Sequence, residues 1–314
     1  MSEPPRPSGA PEVLCFGETM VLLAPGPQQR LGTARRLAVR VAGAESTVAQ
    51  YLADLGHRAA WASRVGVDPF GDQVLAEVAR PGVDVSAVER DAEAPTGVYF
   101  KDPDPDGTRV HYYRAGSAAS RITPAYVDAL PLEHAQVVHL SGITPALSDS
   151  CAAAVDALLD RAGRAGVLRS FDVNHRPALW RGGRAAEVLL SLARRADLVF
   201  VGLDEARRLW GTTSPREVRD LLGEVELVVK DAEVGATVFR TGGDPGEFAP
   251  ALPVEVVEPV GAGDAFAAGY LSARLHDDPP VERLRLGHRL AALALGSVAD
   301  HAGATELRRE GSGR

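Results

Sequence analysis

The stretch Glu258-Pro-Val-Gly-Ala-Gly-Asp-Ala-Phe-Ala-Ala-Gly-Tyr270 decides how this chain folds. The run at residues 254–257 reads as a strand, Pro259 ends it, and Gly261-Ala262-Gly263 turns the backbone into a helix of small residues starting at about Asp264. Two glycines let the backbone N–H groups point outward, and the helix dipole adds partial positive charge, which together make an anion hole. Asp264 stands at its mouth. A carboxylate is out of place there if the loop only holds a phosphate. It has a purpose if it takes the proton of an attacking hydroxyl while the amides stabilise a transferring phosphoryl group. Asp is equally common as a helix N-cap, and the spacing leaves both readings open. Phe266 stands where a G-x-G-x-x-G fingerprint needs its third small residue, and the chain holds no G-x-x-x-x-G-K-[ST] loop. A nicotinamide-dependent oxidoreductase and a P-loop enzyme are both disfavoured.

Outward from this turn, short apolar runs alternate with helical patterns. Residues 13–16, 60–65, 137–140, 167–173, 198–201 and 227–229 read as strands. Residues 45–55 carry Val48, Leu52 and Leu55 at helical spacing and stop at Gly56, while Asp68-Pro69 opens a further helix. Residues 151–165, 184–195 and 214–222 are helical as well. Such alternation predicts an α/β fold: a mainly parallel sheet with helices on both faces. One region breaks the rhythm. Residues 96–101 and 108–114 alternate apolar with polar side chains and flank the turn formers Asp102-Pro-Asp-Pro-Asp-Gly107, a hairpin signal. With the extended pieces at 21–23 and 37–41, the hairpin predicts a small separate sheet that leans over a cleft as a lid. The expected organisation is one domain over 12–307, its lid drawn from about 20–42 and 96–116, with tails at 1–11 and 308–314.

Composition narrows the partners. The 314 residues are 45% hydrophobic and 24% charged, with a formal net charge of −8, the balance of a soluble globular protein. No block of basic residues invites nucleic acid, and no apolar run is long enough to span a membrane. The Pro- and Ser-rich N-terminus lacks the apolar core of a signal peptide and reads as a disordered tail, so a cytoplasmic location is expected. Cys15 and Cys151 sit in apolar contexts and read as buried thiols. His111, His139, His175, His288 and His301 lack metal-ligand spacing.

Val260-Gly-Ala-Gly-Asp-Ala-Phe266 followed by Gly269 resembles the C-terminal signature of the ribokinase-like (PfkB) carbohydrate kinases. Ala42-Gly43-Ala44-Glu45 with Val48-Ala49 resembles their N-terminal sugar-binding turn, and Arg64-Val-Gly-Val-Asp-Pro-Phe-Gly71 their R-V-G-x-D-x-x-G loop. Within that family, Tyr112-Tyr-Arg-Ala-Gly-Ser-Ala118, Leu140-Ser-Gly-Ile-Thr-Pro-Ala-Leu147 and Asp172-Val-Asn-His-Arg176 resemble the 2-keto-3-deoxygluconate (KDG) kinases. The resemblance spans roughly residues 13–307. It implies a ribokinase-like three-layer αβα fold with a mainly parallel sheet and a small β-sheet lid. It further implies transfer of phosphate from ATP to the 6-hydroxyl of a sugar acid, Mg2+ as cofactor and, in many relatives, K+ beside the catalytic turn.

The same resemblance assigns Asp264 as base with Gly261, Ala262 and Gly263 as its anion hole. It places Gly43, Thr47, Tyr99, Tyr112, Arg114, Arg176 and Asp300 on the sugar, and Asn174, Lys230, Gly235, Gly261, Gly263 and His288 on the nucleotide. Glu205 would organise metal through water. A guanidinium is also the natural partner of a substrate carboxylate. Four departures stand out: Thr47 replaces an Asn of the sugar turn, Gly202 the Asn of N-x-x-E, Ala232 a Gly of the nucleotide loop and His288 an Asn near adenine. Ala232 predicts a different backbone path, since glycine is the residue that turns there freely. The expected partners are a sugar acid, ATP and a second copy of the chain paired through the lid sheet. The alternatives are a related kinase for fructose, ribose or another keto acid, and a non-catalytic sugar- or nucleotide-sensing module.

Overall fold

Strand residues point alternately to opposite faces, and β1 (Val13–Phe16) shows what this chain does with that rule: all four of its residues are buried. Leu14 and Phe16 join one apolar core, while Val13 and Cys15 join a second. Only a strand covered on both sides reads this way. The computed structural model describes residues 10–26, 29–104, 107–180, 182–297 and 301–308 of the chain.

Among the described residues the other strands are β2 (Met20–Ala24), β3 (Ala38–Ala42), β4 (Ala59–Ala62), β5 (Arg64–Gly66), β6 (Glu89–Asp91), β7 (Val98–Asp104), β8 (Gly107–Tyr113), β9 (Val137–Ser141), β10 (Leu168–Asp172), β11 (Leu198–Gly202), β12 (Glu226–Asp231), β13 (Gly235–Phe239) and β14 (Glu247–Pro250). The helices are α1 (Ala44–Asp54), α2 (Pro69–Ala79), α3 (Pro124–Asp128), α4 (Asp149–Ala165), α5 (Ala185–Arg195), α6 (Leu203–Trp210), α7 (Pro215–Leu222), α8 (Ala262–Leu275) and α9 (Pro280–Leu295). The main sheet runs β14-β13-β12-β11-β10-β9-β1-β4. It is parallel from β12 to β4 and antiparallel at the β13 and β14 edge.

Helices α3 to α7 cover one face around Phe171, Leu158 and Leu189, and α1, α2, α8 and α9 cover the other around Trp61, Phe200 and Tyr270. Each fully buried large apolar side chain contributes about 1.5–3 kcal/mol to holding these layers together. Cys15 and Cys151 are both buried free thiols. The sheet order reverses direction between β1 and β9, and ligands in open α/β sheets bind at the carboxyl ends of the strands beside such a reversal.

The lid is the four-stranded sheet β3-β2-β7-β8. It grows directly from β1 through Gly17, Glu18 and Thr19, so it hangs over those carboxyl ends. Asp102, Pro103 and Asp104, expected in the hairpin turn, instead lie within β7, paired to Arg109, Thr108 and Gly107. Arg30 explains the extension. Its guanidinium donates to Asp102 at 3.1 Å and to Asp104 at 2.7 Å, and the Leu31 N–H donates to Asp102 at 2.8 Å.

Two other expectations need correction. Residues 60–65 form two strands, β4 in the main sheet and β5 paired with β6. Residues 254–257 are not a strand, because no neighbouring strand offers them a ladder. The Val257 and Glu258 N–H groups donate instead to the Leu295 carbonyl at the end of α9.

Candidate active site

Below the lid lies a cavity of about 1180 Å³, larger than the ~300–1,000 Å³ of ordinary single-ligand sites. It is lined by the carboxyl ends of β10, β11 and β12, by the turn before α8 and by the lid strands β7 and β8. The strand order thus puts residues distant in sequence around one opening.

At its centre is the 261–264 turn. Gly261 adopts φ +84°, a left-handed conformation that disfavours any residue with a Cβ, and it is the N-cap of α8. Having no side chain, Gly261 gives the first-turn N–H groups no capping acceptor. Gly261, Ala262, Gly263 and Asp264 all line the cavity. Asp264 is the third residue of α8, one turn past the cap, so it is not the N-cap that its residue type allowed. Asn174 donates its side-chain amide to Asp264 Oδ1 at 3.3 Å, a long bond that steers the carboxylate.

Asn174 has φ +37°, which Asn tolerates better than most residues. Its N–H donates to the Asp172 side chain at 3.1 Å, closing the turn after β10. Asp172 in turn accepts from Lys230 Nζ at 2.8 Å. Burial opposes the Lys230 ammonium, but Asp172, Glu205 and Asp264 outweigh it and hold its pKa above the usual lysine range. The Glu205 pKa is raised too: burial, then the Asp172 charge, push it up despite Lys230 and two backbone amides. Those amides are the N–H groups of Gly202, at 2.8 Å, and His175, at 2.9 Å. Glu205 therefore ties the start of α6 to the 172–176 loop, work that the missing Asn at position 202 does not prevent.

The other nucleotide-side expectations also converge. Gly235 and His288 line the cavity. His288 is buried, bonded through Nε2 to the Ala249 carbonyl at 3.1 Å, and burial lowers its pKa against that hydrogen bond. A Cβ at Gly235 would meet the Ala249 oxygen at 2.3 Å, so β13 can approach β14 only with glycine there. The expected detour at Ala232 does not occur: this alanine takes φ +41°, the glycine-like path, and carries the strain itself.

On the lid side, Gly43, Tyr99, Tyr112 and Arg114 line the same cavity, with exposed Arg176 at its rim. A Cβ at Gly43 would come within 2.3 Å of Thr19 Oγ1 and 2.7 Å of the Glu18 carbonyl, which explains the bare turn. The Tyr99 and Tyr112 rings pack in a tilted pair, with centroids 5.6 Å apart. Thr47 is the exception. It is buried one turn into α1, its N–H bonded to the Gly43 carbonyl at 2.9 Å, and it does not reach the cavity wall. Asp300 lies outside the described residues.

Among the lining residues to which the sequence reading gave no role are Asp172, Glu18 and Lys101. Asp172 stood inside a quoted motif without a role. Lys101 and Glu258 are 157 residues apart yet form a 2.7 Å ion pair that joins the lid to the turn before α8. No local pattern announces it. Among the described residues no cluster of three or more His, Cys, Asp or Glu residues is arranged to hold a metal alone, and no helix is long and apolar enough to cross a membrane.

A mainly parallel sheet with a glycine turn at a helix start, an acidic residue beside that turn and a β lid above the cavity is the layout of a small-molecule kinase. The chain belongs to the pfkB family of carbohydrate kinases, whose family model matches residues 10–306. It is 37% identical over 301 residues to a 2-dehydro-3-deoxygluconokinase of Thermoproteus tenax, covering 92% of this chain and 90% of that protein. It is 34% identical over 289 residues to a 2-dehydro-3-deoxygalactonokinase of Haloferax volcanii, covering 90% of each. The crystal structure of a PfkB protein from Polaromonas sp. JS666 superposes with a TM-score of 0.85 at 36% identity, over 93% of this chain and 98% of the other.

Proposed function

We propose that this enzyme transfers the γ-phosphoryl group of ATP to the 6-hydroxyl of KDG, giving ADP and 2-keto-3-deoxy-6-phosphogluconate. The observation that carries the reading is the convergence of Asp264, the first-turn amides of α8 and the lid residues Tyr112 and Arg114 on one cavity. In this scheme the 6-hydroxyl gives its proton to Asp264 as its oxygen attacks the γ-phosphorus. The new O–P bond forms while the bond to the β,γ-bridging oxygen breaks, and ADP leaves with that electron pair. The N–H groups of Ala262 and Gly263 face the charge that develops on the phosphoryl oxygens.

Lys230, fixed by Asp172, supplies a positive group on the nucleotide side. Asn174 sets the orientation of the base. Asp172 and Glu205 suit magnesium held jointly with phosphate oxygens and water, the usual mode for that ion. Bound there, Mg2+ would offset phosphate charge. Arg114 and Arg176 would meet the substrate carboxylate, and Tyr99, Tyr112 and Gly43 would shape the sugar side. Turnover measured with and without KCl tests for K+ beside the 261–264 turn.

A relative named for the galactonate epimer makes that sugar acid the nearest competitor. The test is an ATP-coupled ADP-release screen over KDG, its C4 epimer, fructose and ribose, with and without Mg2+. The reading requires the highest kcat/KM on KDG. A preference for a neutral sugar would move the enzyme to a neighbouring specificity, and no ADP release on any of the four would leave a sensor module. Use of ATP fits a cytoplasmic enzyme. The exposed lid residues Val39 and Tyr113 support pairing of two copies through the lid, which light scattering would report as twice the chain mass.

A further inference from the structure

Glu18 is the middle residue of the link Gly17-Glu18-Thr19 that carries the chain from the main sheet into the lid. Its side chain is fully buried, yet the residue forms part of the cavity wall. A lone buried carboxylate in such a place is costly, and two partners offset the cost. Ser117 Oγ donates to Oε1 at 2.8 Å, and the Arg114 guanidinium stands against Oε2 as an ion pair without an aligned hydrogen bond. Gly97 makes room, since a Cβ there would stand 2.9 Å from Oε1. Arg114 is only 8% exposed and lies over the Tyr112 ring at 5.5 Å. Its Nε has no hydrogen-bond partner among the described residues. The guanidinium is thus gripped on one edge by Glu18 and on one face by Tyr112, with a buried donor left over in a residue of the cavity wall.

We propose that Glu18 is a positioning residue, which holds Arg114 so that the remaining donors of its guanidinium receive the carboxylate of the substrate. This inference rests on the reading that the substrate is a sugar acid. An unheld arginine samples many rotamers, and ordering it at binding costs affinity. Held in advance by Glu18, its planar fork presents donors in a fixed geometry. Glu18 and Arg114 flank the lid, one before β2 and the other after β8. The clamp therefore also fixes where the lid's hairpin meets the sugar. Arg114 acts on the ligand, and Glu18 acts through Arg114.

The test is a double-mutant cycle on Glu18→Gln and Arg114→Ala, with KDG and ATP as substrates. Glu18→Gln should raise KM for KDG about tenfold, the loss expected when a binding side chain must be ordered anew. KM for ATP should not change, and kcat should stay within about threefold. In the Arg114→Ala background the same substitution should add nothing, because its only route to the substrate is gone. Ser117→Ala, which removes the second bond to Glu18 but keeps the charge, should shift KM for KDG in the same direction by a smaller factor. It carries the cycle if Glu18→Gln does not fold.

Additive losses, an unchanged or lower KM for KDG in Glu18→Gln, or equal losses for KDG and ATP would overturn the proposal while leaving the kinase reading intact. A parent enzyme without activity on KDG would remove both.

Discussion

Replacing Lys230 by Met tests whether the charged floor of the site is desolvated. Lys230 Nζ lies 2.8 Å from Asp172 Oδ2, and their side chains are 19% and 3% exposed. Met keeps the apolar stem but strands Asp172 as a buried charge. Deleting one partner of a buried pair costs about 3–5 kcal/mol, and the partial exposure of Lys230 puts this case near the lower end. At ~2–4 °C per kcal/mol for a large domain, the melting midpoint should fall by roughly 6–12 °C. Thermal unfolding followed by circular dichroism measures this. The double variant Lys230→Met, Asp172→Asn replaces both charges by near-isosteres and should recover most of the loss. ATP binding behaves differently. Its KM should rise about tenfold or more in both variants, since a charge-assisted contact to phosphate is gone. A single variant that melts within about 2 °C of the parent, or a double variant no more stable than the single one, would refute the claim that this pair is shielded from water.

Glu45 is fully buried, and burial followed by the Asp264 charge pushes its pKa to about 7 against the Ser141 hydrogen bond. A carboxyl with a raised folded-state pKa binds more protons folded than unfolded. It therefore removes stability as pH climbs from about 4 to about 7, and Glu45→Gln should flatten that decline by roughly 3 kcal/mol; identical melting-versus-pH curves would refute this. Ala232→Gly should raise stability by about 0.5 kcal/mol, because relief of the left-handed strain exceeds the backbone entropy that glycine adds. A lower melting midpoint would contradict it. Lys101→Met and Glu258→Gln should show a coupling of about 1–3 kcal/mol in a stability cycle, as contacting residues do, and additive effects would dissolve the bridge between lid and turn.

The layered sheet was legible because its cue is local. Apolar runs such as residues 137–140 and 198–201 have no polar alternation, so they had to be buried on both faces, and they are. The lid was legible from the change of period at residues 96–114. Residues 254–257 misled because their valines have strand propensity, but a strand also needs a neighbour, and none pairs with them among the described residues. The Asp102 to Asp104 segment misled because Arg30, 72 residues away from Asp102, overrides its turn preference.

In the site, the glycine turn announced itself through backbone geometry, and the structure moved Asp264 from the cap to the first turn of α8. Ala232 was misjudged because propensity is a cost and not a prohibition. Thr47 was placed on the substrate by pattern, whereas its position one turn into α1 buries it. Glu18, Lys101 and Asp172 stayed hidden because their partners are distant in sequence, and only the fold creates the pairs.

Asp264→Asn, which preserves shape and the acceptor for Asn174, tests the central claim most directly when its turnover is measured at saturating ATP and sugar acid. The account predicts a kcat about 10²–10⁴-fold below the parent, with KM for ATP and the melting midpoint little changed. A kcat within a few fold of the parent would show that the hydroxyl loses its proton elsewhere, and the mechanism built on the 261–264 turn would fail.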